Sequence, residues 1–407
     1  MMPCFRFAAL LALLLPAVGA AQTIPPVGTD ATFDVGTWNI EHFGNPGELP
    51  SNDALQFKNV LAVLRQAEVD VWALQELDDE ATFNRLLDSL GAGFGGHWVP
   101  DDAVSTDIGY GFIYRTDVVT LTGNISQILA GSSYEFGSRP PLQLRARVAL
   151  PDTTVEVRVI NVHMKAGGST SDYDRRVAAS GILKNYVDNL QAVGAHVIVA
   201  GDFNDELITS IAGGRTSPYQ NFLDDATYLF ATRAFDQPGS SNDANTYCSS
   251  ATCSSGSVFD HLIATANLID DYEEDSAARL IAVLSAIPAY TSSTSDHLPV
   301  FARFDFASTG TPNEPEAPGR TFALQPPFPN PFTDEAAFTY SLDRPGPVRL
   351  ELFDALGRRV ALVVDEYRTA GSYRVRVNGS AFAPGLYVVR LTAADGRTAT
   401  RRLIRGR

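Results

Sequence analysis

Eight apolar segments with the length of β-strands recur through the first 306 residues, and this repetition limits how the chain can fold. They are residues 33–39, 69–75, 109–114, 142–150, 155–162, 196–201, 258–264 and 298–306. Each segment is rich in Val, Ile, Leu, Phe or Tyr and is bounded by turn-forming residues, as strands are. The pattern predicts a protein built around β-sheets.

Two segments with helical periodicity fall between the strands. Residues 52–67 place apolar side chains on one helix face, as at Phe57, Val60 and Leu64. Residues 172–190 carry a second apolar stripe. Because strands outnumber helices and the helices fall between them, we expect an α/β or α+β layered sandwich, with two sheets inside and helices outside.

A change in composition divides the chain near residue 307. Residues 307–320, ASTGTPNEPEAPGR, have the Pro-, Gly- and acid-rich composition of a linker. Residues 321–407 contain only strand-like segments and turns, and no histidine. Their spacing predicts a small all-β, immunoglobulin-like sandwich without a catalytic constellation of its own.

Charge is spread unevenly over the two parts. Residues 1–320 contain 18 basic and 39 acidic residues, whereas residues 321–407 contain 13 arginines and 8 acidic residues. The first part is too acidic for bulk electrostatic attraction to hold a polyanion. A polyanionic ligand would therefore depend on metal ions and a few local cations.

The N-terminus has the pattern of a signal peptide over residues 1–21. Arg6 precedes an apolar run at residues 7–15, and small residues follow at the expected cleavage point. No other run approaches the length needed to cross a bilayer, so the mature chain is expected to lack an integral membrane segment. In an oxidising compartment, Cys248 and Cys253 are expected to form a disulfide.

Polar, metal-capable residues stand at the ends of six apolar strands. They are Asn39, Glu76, Asn161, His163, Asp202, Asn204, Asp260, Asp296 and His297. Taken singly, each has a structural explanation as a turn residue, a cap or a solvated side chain. Taken as an ordered set, their carboxylates would repel one another if clustered, and a hard cation such as Mg²⁺ relieves that repulsion. The set therefore predicts a metal site.

In this order, the motifs resemble those of the endonuclease/exonuclease/phosphatase superfamily, in its deoxyribonuclease-like form, over residues 30–306. The resemblance implies a four-layered α/β sandwich with the active site at one edge of the paired sheets. It also implies Glu76 as the principal metal ligand, helped by Asn39 and Asp296. Mg²⁺ is the expected cofactor, with Mn²⁺ and Ca²⁺ as alternatives.

The same resemblance implies catalytic roles for five residues. Asp202 and Asn204 are expected to contact the scissile phosphate, orient water or hold a second metal. His297 resembles a general base or phosphate-contacting histidine that Asp260 orients. His163 resembles a second histidine that stabilises or protonates an oxygen of the phosphate.

Four further residues resemble substrate contacts of the superfamily. Arg139, which precedes a proline, has the type of side chain that grips phosphate bidentately. A surface ion pair is the alternative explanation for Arg139. Lys165 and Arg176 resemble basic residues of bacterial members, with a solvated helix face as the alternative. Tyr110 resembles an active-site tyrosine, and simple packing is its alternative.

The C-terminal part resembles the sorting domain of the type IX secretion system. The matching marks are Phe328-Pro329-Asn330-Pro331-Phe332, residues 354–358 and residues 384–387. This resemblance implies a partner in the secretion machinery and export across the outer membrane to the medium or the cell surface. A carbohydrate- or protein-binding sandwich is the competing interpretation.

Secretion favours an extracellular nuclease over a repair enzyme. The leading hypothesis is a monomeric, metal-dependent phosphodiesterase with nucleic acid as its substrate. A phospholipid or small-molecule phosphodiesterase is the second hypothesis. The third is a non-catalytic binding protein on the same fold. The sequence leaves DNA versus RNA, and endonuclease versus exonuclease, open.

Overall fold

The computed structural model describes residues 23–101, 108–236 and 244–306, and residues 322–406 with gaps at 325–326, 328–329, 331, 333–334, 355, 370 and 380–381. The expected signal peptide, residues 1–21, and the expected linker, residues 307–320, lie outside the described residues. The chain divides into two compact units, Met1–Thr309 and Gly310–Arg407.

The strands of the first unit include every segment predicted from the sequence. They are β1 (Phe33–Phe43), β2 (Val71–Leu77), β3 (Phe94–Val99), β4 (Gly109–Arg115), β5 (Val119–Leu121), β6 (Ser126–Gln127), β7 (Leu142–Leu150), β8 (Thr153–His163), β9 (His196–Asp202), β10 (Tyr228–Phe230), β11 (Tyr247–Cys248), β12 (Gly256–Ser257), β13 (Asp260–Thr265), β14 (Ala278–Arg279) and β15 (Val300–Phe304).

The helices include both that periodicity predicted. They are α1 (Asp53–Gln66), α2 (Glu80–Leu90), α3 (Thr170–Ala192), α4 (Gln220–Leu223), α5 (Ala266–Ile269), α6 (Val283–Ala286) and α7 (Tyr290–Ser293). Polar caps start the longer ones. Asn52 accepts the backbone N–H of Leu55 at 3.0 Å, and Ser169 forms a capping box with Asp172 at the start of α3.

Two sheets form the centre of the first unit. One has the strand order β14-β15-β1-β2-β4-β3, and the other has the order β10-β13-β9-β8-β7-β5, with β6 also paired to β7. Apolar side chains from both sheets, such as Val35 and Ala73 from one and Leu144 and Ile198 from the other, share one buried cluster. The two sheets therefore pack face to face.

Helices cover the outer faces of both sheets. Trp38 of β1 packs in one cluster with Val60 of α1 and Phe83 of α2. Val199 of β9 packs in another cluster with Leu183 of α3. The first unit is thus the four-layered sandwich that the resemblance implied, with the order helix, sheet, sheet, helix.

A buried polar bridge ties the two sheets together near the carboxyl ends of β2 and β8. The Gln75 amide donates to Asn161 Oδ1 at 2.8 Å, and Asn161 Nδ2 donates to the carbonyls of Leu74 and Gly111 at 3.0 and 2.8 Å. Because both side chains are buried, losing one partner would leave the other unsatisfied at a cost of about 1–3 kcal/mol. The bridge therefore holds the two sheets in a fixed position relative to each other, close to the ends of β2 and β8.

The second unit is an all-β sandwich. Its strands are β16 (Ala323–Leu324), β17 (Glu335–Leu342), β18 (Gly346–Asp354), β19 (Arg359–Arg368), β20 (Gly371–Asn378), β21 (Gly385–Thr392) and β22 (Thr398–Arg405). They form sheets with the orders β16-β17-β20 and β19-β18-β21-β22. Phe338, Leu350 and Val389 lie in the apolar cluster between them.

None of the helices in the described ranges is both long enough and apolar enough to cross a bilayer.

Candidate active site

Strand register brings three of the predicted residues side by side at one sheet edge. His163, the last residue of β8, is the register partner of Asp202, the last residue of β9. Asp260, the first residue of β13, is the partner of Asp202 on the other side. Gly201 makes this approach possible, because a Cβ there would lie 1.9 Å from the Val162 carbonyl oxygen.

Asp202 is the centre of the cluster. Its Oδ2 lies 3.7 Å from His163 Nε2, 3.9 Å from His297 Nε2 and 3.1 Å from Asn39 Nδ2. Asn39, at the end of β1, also donates to Glu76 Oε1 at 2.9 Å. Side chains from both sheets therefore converge on one buried carboxylate.

Asn39, which the resemblance implied as a metal ligand, is hydrogen-bonded through both ends of its side-chain amide. Its Nδ2 faces the two carboxylates, and its Oδ1 accepts the backbone N–H of Glu41 at 3.0 Å. Both ends of the amide are thus engaged within the protein. The structure makes Asn39 a hydrogen-bond bridge that holds Glu76 beside Asp202.

Asp260 orients His297. Its buried Oδ2 lies 2.8 Å from His297 Nδ1, which leaves Nε2 directed toward Asp202. The backbone of His297 is fixed as well, because Trp38 and Tyr290 donate to its carbonyl and its N–H donates to Ser295 Oγ at 2.9 Å. The ring orientation is therefore set before any ligand binds.

Asn204 and Arg139 share one acceptor. Asn204 Nδ2 and Arg139 Nη2 donate to the Met164 carbonyl oxygen at 3.1 and 3.2 Å. Arg139 is half-buried, and its Nε has no hydrogen-bond partner among the described residues. This contact places the guanidinium beside Asn204, and its buried Nε–H is left without an acceptor in the described residues.

Three carboxylates gather next to this cluster. Glu41 Oε2 accepts the backbone N–H of Asp296 at 2.8 Å, and Glu76 adds a third negative charge. Burial, followed by the charge of Asp296, raises the pKa of Glu41 to about 8. Burial likewise raises the pKa of Asp296, and the nearby charge of Glu76 adds to that rise. A cation between these groups would relieve both effects.

The donor set fits a hard divalent cation. Glu76 and Asp296 supply oxygen ligands, and both side chains reach solvent, with exposures of 20% and 32%. Within the described ranges, no three acidic, His or Cys side chains already stand around one point as a closed cage. Such a site matches Mg²⁺, which is held by one or two carboxylates together with water and substrate phosphate.

Sequence reasoning missed Glu41 and His42, which follow Asn39 after one intervening residue, Ile40. His42 Nδ1 lies 2.8 Å from Asp78 Oδ2, and its Nε2 lies 3.9 Å from Glu76 Oε2. The register of β1 on β2 shifts between Asn39 and Phe43, and this irregularity redirects the intervening side chains. The sequence offered one signal for these two residues: they lie near the end of β1, where Asn39 was already a candidate.

Strained backbone also concentrates here. Glu41, His42, Glu76 and Asn204 have φ values of 53°, 49°, 57° and 52°. Non-glycine residues are uncommon in this left-handed region, and such strain is typical of functional sites. The packing around these strand ends therefore holds side chains in positions that relaxed strands would not give them.

The surroundings of His163 and His297 shift the pKa values of the two rings in opposite directions. Burial lowers the pKa of His163 well below its usual range, and the positive charges of Arg139 and His297 lower it further. Burial opposes the charge on His297 too, but Asp260 and Asp202 together raise its pKa well above the usual range. Opposed shifts of this kind are a feature of acid–base pairs.

Asp202 has a high pKa for a carboxyl group. Burial raises it to about 7, although the positive charge of His297 and the Asn39 hydrogen bond act in the opposite direction. His163 Nδ1 and Asp260 Oδ1 are buried and have no hydrogen-bond partner among the described residues. Buried polar atoms of this kind are expected where a ligand or water completes the site.

Two of the expected substrate contacts, Arg176 and Tyr110, are buried. The Arg176 side chain is fully buried, pairs with Asp205 at 2.8 Å, and donates to the carbonyls of Lys165 and Gly167, each at 2.7 Å. Tyr110 is fully buried and its hydroxyl donates to the Pro140 carbonyl. Both side chains therefore hold the loops beside the site through backbone carbonyls, and neither is exposed to solvent.

Lys165 lies at the edge of the site. Its ammonium contacts Asp172 Oδ1 at 3.1 Å, and its side chain is 28% exposed. A Cβ on Gly137 would lie 3.1 Å from Arg139 Nη2 and 3.3 Å from Lys165 Cα. Lys165 and Arg139 therefore flank the same glycine at one side of the site.

The cysteine pair lies beside the loop that carries His297. Cys248 and Cys253 form a disulfide, as the sequence predicted, and both are buried. The N–H of Cys248 donates to the Asp296 carbonyl at 2.7 Å. Thr246 Oγ1 accepts the backbone N–H of Asp260 at 3.0 Å. Residues at and just before the disulfide therefore contact the backbone of Asp260 and of Asp296, the neighbour of His297.

The fold and this convergent site define a class of protein. The model of the Endonuclease/Exonuclease/phosphatase family matches residues 36–297, more than half of the chain, and the chain belongs to that family. A second model, of a secretion system C-terminal sorting domain, matches residues 327–405. The all-β unit is thus a type IX sorting domain, and it directs export across the outer membrane.

Solved structures provide further likenesses. An endonuclease/exonuclease/phosphatase from Beutenbergia cavernae has a TM-score of 0.49 and 18% identity, over 92% of this chain and 100% of that one. The catalytic domain of human Nocturnin has a TM-score of 0.45 and 17% identity, over 69% and 98% of the two chains. No curated protein sequence matches the chain significantly.

Proposed function

We propose that this protein is a secreted, divalent-cation-dependent phosphodiesterase that cleaves nucleic acid. The observation that carries the proposal is the position of Asp202, whose Oδ2 lies within 3.9 Å of His163 and His297 and within hydrogen-bond distance of Asn39. Hydrolysis of a phosphodiester needs an aligned water, neutralised phosphate oxygens and a route for the leaving-group proton. The cluster contains groups suited to each task.

Asp202 and Asn204 are assigned to the attacking water. Asp202 Oδ1 accepts the backbone N–H of Asn204 at 2.8 Å, and Oδ2, which accepts the Asn39 amide, faces the two histidines. A carboxylate held this way orients water and accepts its proton as the water attacks phosphorus. The geometry supports this role because Asp202 is buried among donors rather than exposed to bulk solvent.

His297, His163 and Arg139 are assigned to the phosphate. Asp260 holds His297 by Nδ1, so that Nε2 can donate to a non-bridging oxygen. Arg139 presents an unpaired donor beside Asn204 and adds a fixed positive charge. His163, on the neighbouring strand, is placed to exchange a proton with the leaving oxygen.

Glu76 and Asp296 are assigned to the cation. A bound Mg²⁺ or similar ion would polarise the phosphate and neutralise charge that develops on its oxygens. Asn39 keeps Glu76 in place, and Glu41 keeps Asp296 in place through its backbone N–H. Mn²⁺ and Ca²⁺ are alternatives with the same preference for oxygen ligands.

Nucleic acid is the proposed substrate because the chain is exported and its site offers arginine and histidine donors for phosphate. The test is a substrate panel with the full chain, with and without EDTA. It comprises plasmid DNA, RNA, sphingomyelin and bis-p-nitrophenyl phosphate. EDTA-sensitive cleavage of DNA or RNA is expected. Cleavage of sphingomyelin alone would identify a lipid phosphodiesterase, and inactivity on the whole panel would contradict an enzymatic role.

A further inference from the structure

A stacked pair of side chains stands next to the candidate active site and has no part in the proposed mechanism. The guanidinium of Arg175, in the second turn of α3, lies 4.2 Å from the centre of the Tyr134 ring. Its Nε also donates to the Tyr134 carbonyl at 2.8 Å. Arg175 therefore fixes both the backbone and one face of Tyr134.

Tyr134 is nevertheless open to solvent. Its side chain is 65% exposed, although aromatic residues are normally buried. Among the aromatic and cation–ring contacts of the described residues, the Tyr134 ring has one, with Arg175. A large aromatic side chain held rigidly in water, with one face covered by a cation, has the form of a stacking platform.

The platform is coupled to the phosphate-binding arginine through a short turn. The N–H of Gly137 donates to the Tyr134 carbonyl at 3.2 Å, and the N–H of Ser138 donates to the Ser133 carbonyl at 2.8 Å. Arg139 follows directly and contacts the same Met164 carbonyl as Asn204. Tyr134 thus lies a single turn of chain away from a residue of the catalytic cluster.

The local charge suits a polyanion, unlike the unit as a whole. Arg139 and Lys165 flank Gly137, and Arg175 covers one face of Tyr134. Asp172 neutralises part of that charge through its ion pair with Lys165 at 3.1 Å. The remaining cations are arginines, which bind phosphate in a defined geometry and stack on bases.

We propose that Tyr134, supported by Arg175, stacks against a base of the substrate strand next to the scissile phosphate. This inference rests on the proposed nuclease function and specifies its substrate as an extended or single-stranded polynucleotide. Base-on-aromatic stacking tolerates any sequence because every base has a flat face. The platform would therefore add affinity for a polymer without adding sequence specificity.

The experiment compares two substrates across matched variants of the full chain. Tyr134→Ala and Arg175→Ala remove the ring and its support, whereas Tyr134→Phe keeps the ring. Tyr367→Ala is the control, because Tyr367 is similarly exposed, at 69%, but lies in the sorting domain. The substrates are single-stranded oligonucleotides of increasing length and bis-p-nitrophenyl phosphate, which has no base.

With Tyr134→Ala, KM for the longer oligonucleotides is expected to rise roughly 5- to 150-fold, the range for loss of one stacked base. Arg175→Ala should have a smaller effect in the same direction. Tyr134→Phe and Tyr367→Ala should match the unsubstituted protein. Turnover of bis-p-nitrophenyl phosphate should stay unchanged in all four variants.

Three outcomes would overturn the platform. The first is that Tyr134→Ala changes KM for the longer oligonucleotides by less than twofold relative to the unsubstituted protein. The second is that Tyr134→Ala lowers activity equally on the oligonucleotides and on bis-p-nitrophenyl phosphate, which would mean that Tyr134 only positions Arg139. The third is an unsubstituted protein that hydrolyses bis-p-nitrophenyl phosphate but no oligonucleotide. That last result would refute the nuclease function itself, so the two failures are distinguishable.

Discussion

Asp260 and His297 are 37 residues apart in the chain, yet their side chains form a hydrogen bond of 2.8 Å at the centre of the candidate site. The bond uses Nδ1 of the ring and so directs Nε2 toward Asp202. A buried carboxylate in this position fixes both the tautomer and the orientation of a histidine. The pair connects the first residue of β13 with the loop that leads into β15.

Asp260→Asn is expected to lower kcat by roughly 10²- to 10⁴-fold, because an amide cannot fix the ring and stabilise its charge as a carboxylate does. The measurement is the pH–rate profile on bis-p-nitrophenyl phosphate, together with the thermal midpoint. Asp365→Asn, an exposed carboxylate in the sorting domain, is the control. Unchanged kcat with a lowered thermal midpoint would mean that Asp260 is only structural.

Glu76→Gln is expected to weaken Mn²⁺ binding by about tenfold or more, since even outer residues of metal sites contribute about that much. Calorimetric titration of the metal alone measures the effect without relying on activity. Glu156→Gln, on an exposed side chain that pairs with Arg147, serves as the matched control. Equal Mn²⁺ affinity in the two variants would exclude Glu76 as a ligand.

Arg176→Ala is expected to lower the free energy of unfolding by about 3–5 kcal/mol, because it leaves the buried Asp205 carboxylate without its cationic partner. Denaturant titration followed by tryptophan fluorescence reports on the first unit, which contains Trp38, Trp72 and Trp98, all the tryptophans of the chain. Undiminished stability combined with a higher KM would instead restore the substrate contact that the resemblance implied.

The stability of the first unit is expected to fall as pH rises from about 4 to 8. Asp34 and Asp70 lie at the opposite ends of β1 and β2 from the site, and burial raises their pKa values to about 7 and about 8 from 3.8. The folded state binds these two protons more tightly than the unfolded chain does. Proton binding therefore stabilises the fold fully at a pH below the pKa that the carboxyl groups have in the unfolded chain. This stabilisation is lost as pH rises through the folded pKa.

Asp70→Asn tests this dependence, since an amide oxygen can still accept the Asp34 N–H that Asp70 now accepts at 2.9 Å. The variant should gain stability relative to the unsubstituted protein as pH rises, on the order of 1.4 kcal/mol for each unit of pKa shift removed. Asp152→Asn, in an exposed turn, is the control. The prediction would be contradicted if the free energies of unfolding of Asp70→Asn and of the unsubstituted protein changed in parallel between pH 4 and 8.

The sequence by itself determined the class of fold and the candidate residues of the cluster. Apolar strands and two long helices are local patterns, because burial on a sheet face requires an unbroken apolar run and a helix requires its own period. The polar residues at the strand ends were visible for the same reason, since they interrupt that pattern where a strand reaches the rim. Glu76, His163, Asp202 and His297 were identified in this way.

Only the tertiary structure decided what each candidate contacts. Arg176 and Lys165 are both basic residues that follow His163 in the chain. Arg176 is nevertheless buried against Asp205, whereas Lys165 lies at the edge of the site. Asn39 bridges two carboxylates, and Glu41 reaches the Asp296 backbone across 255 residues. Burial and partner choice depend on packing between distant segments, and no local pattern encodes which segments will meet.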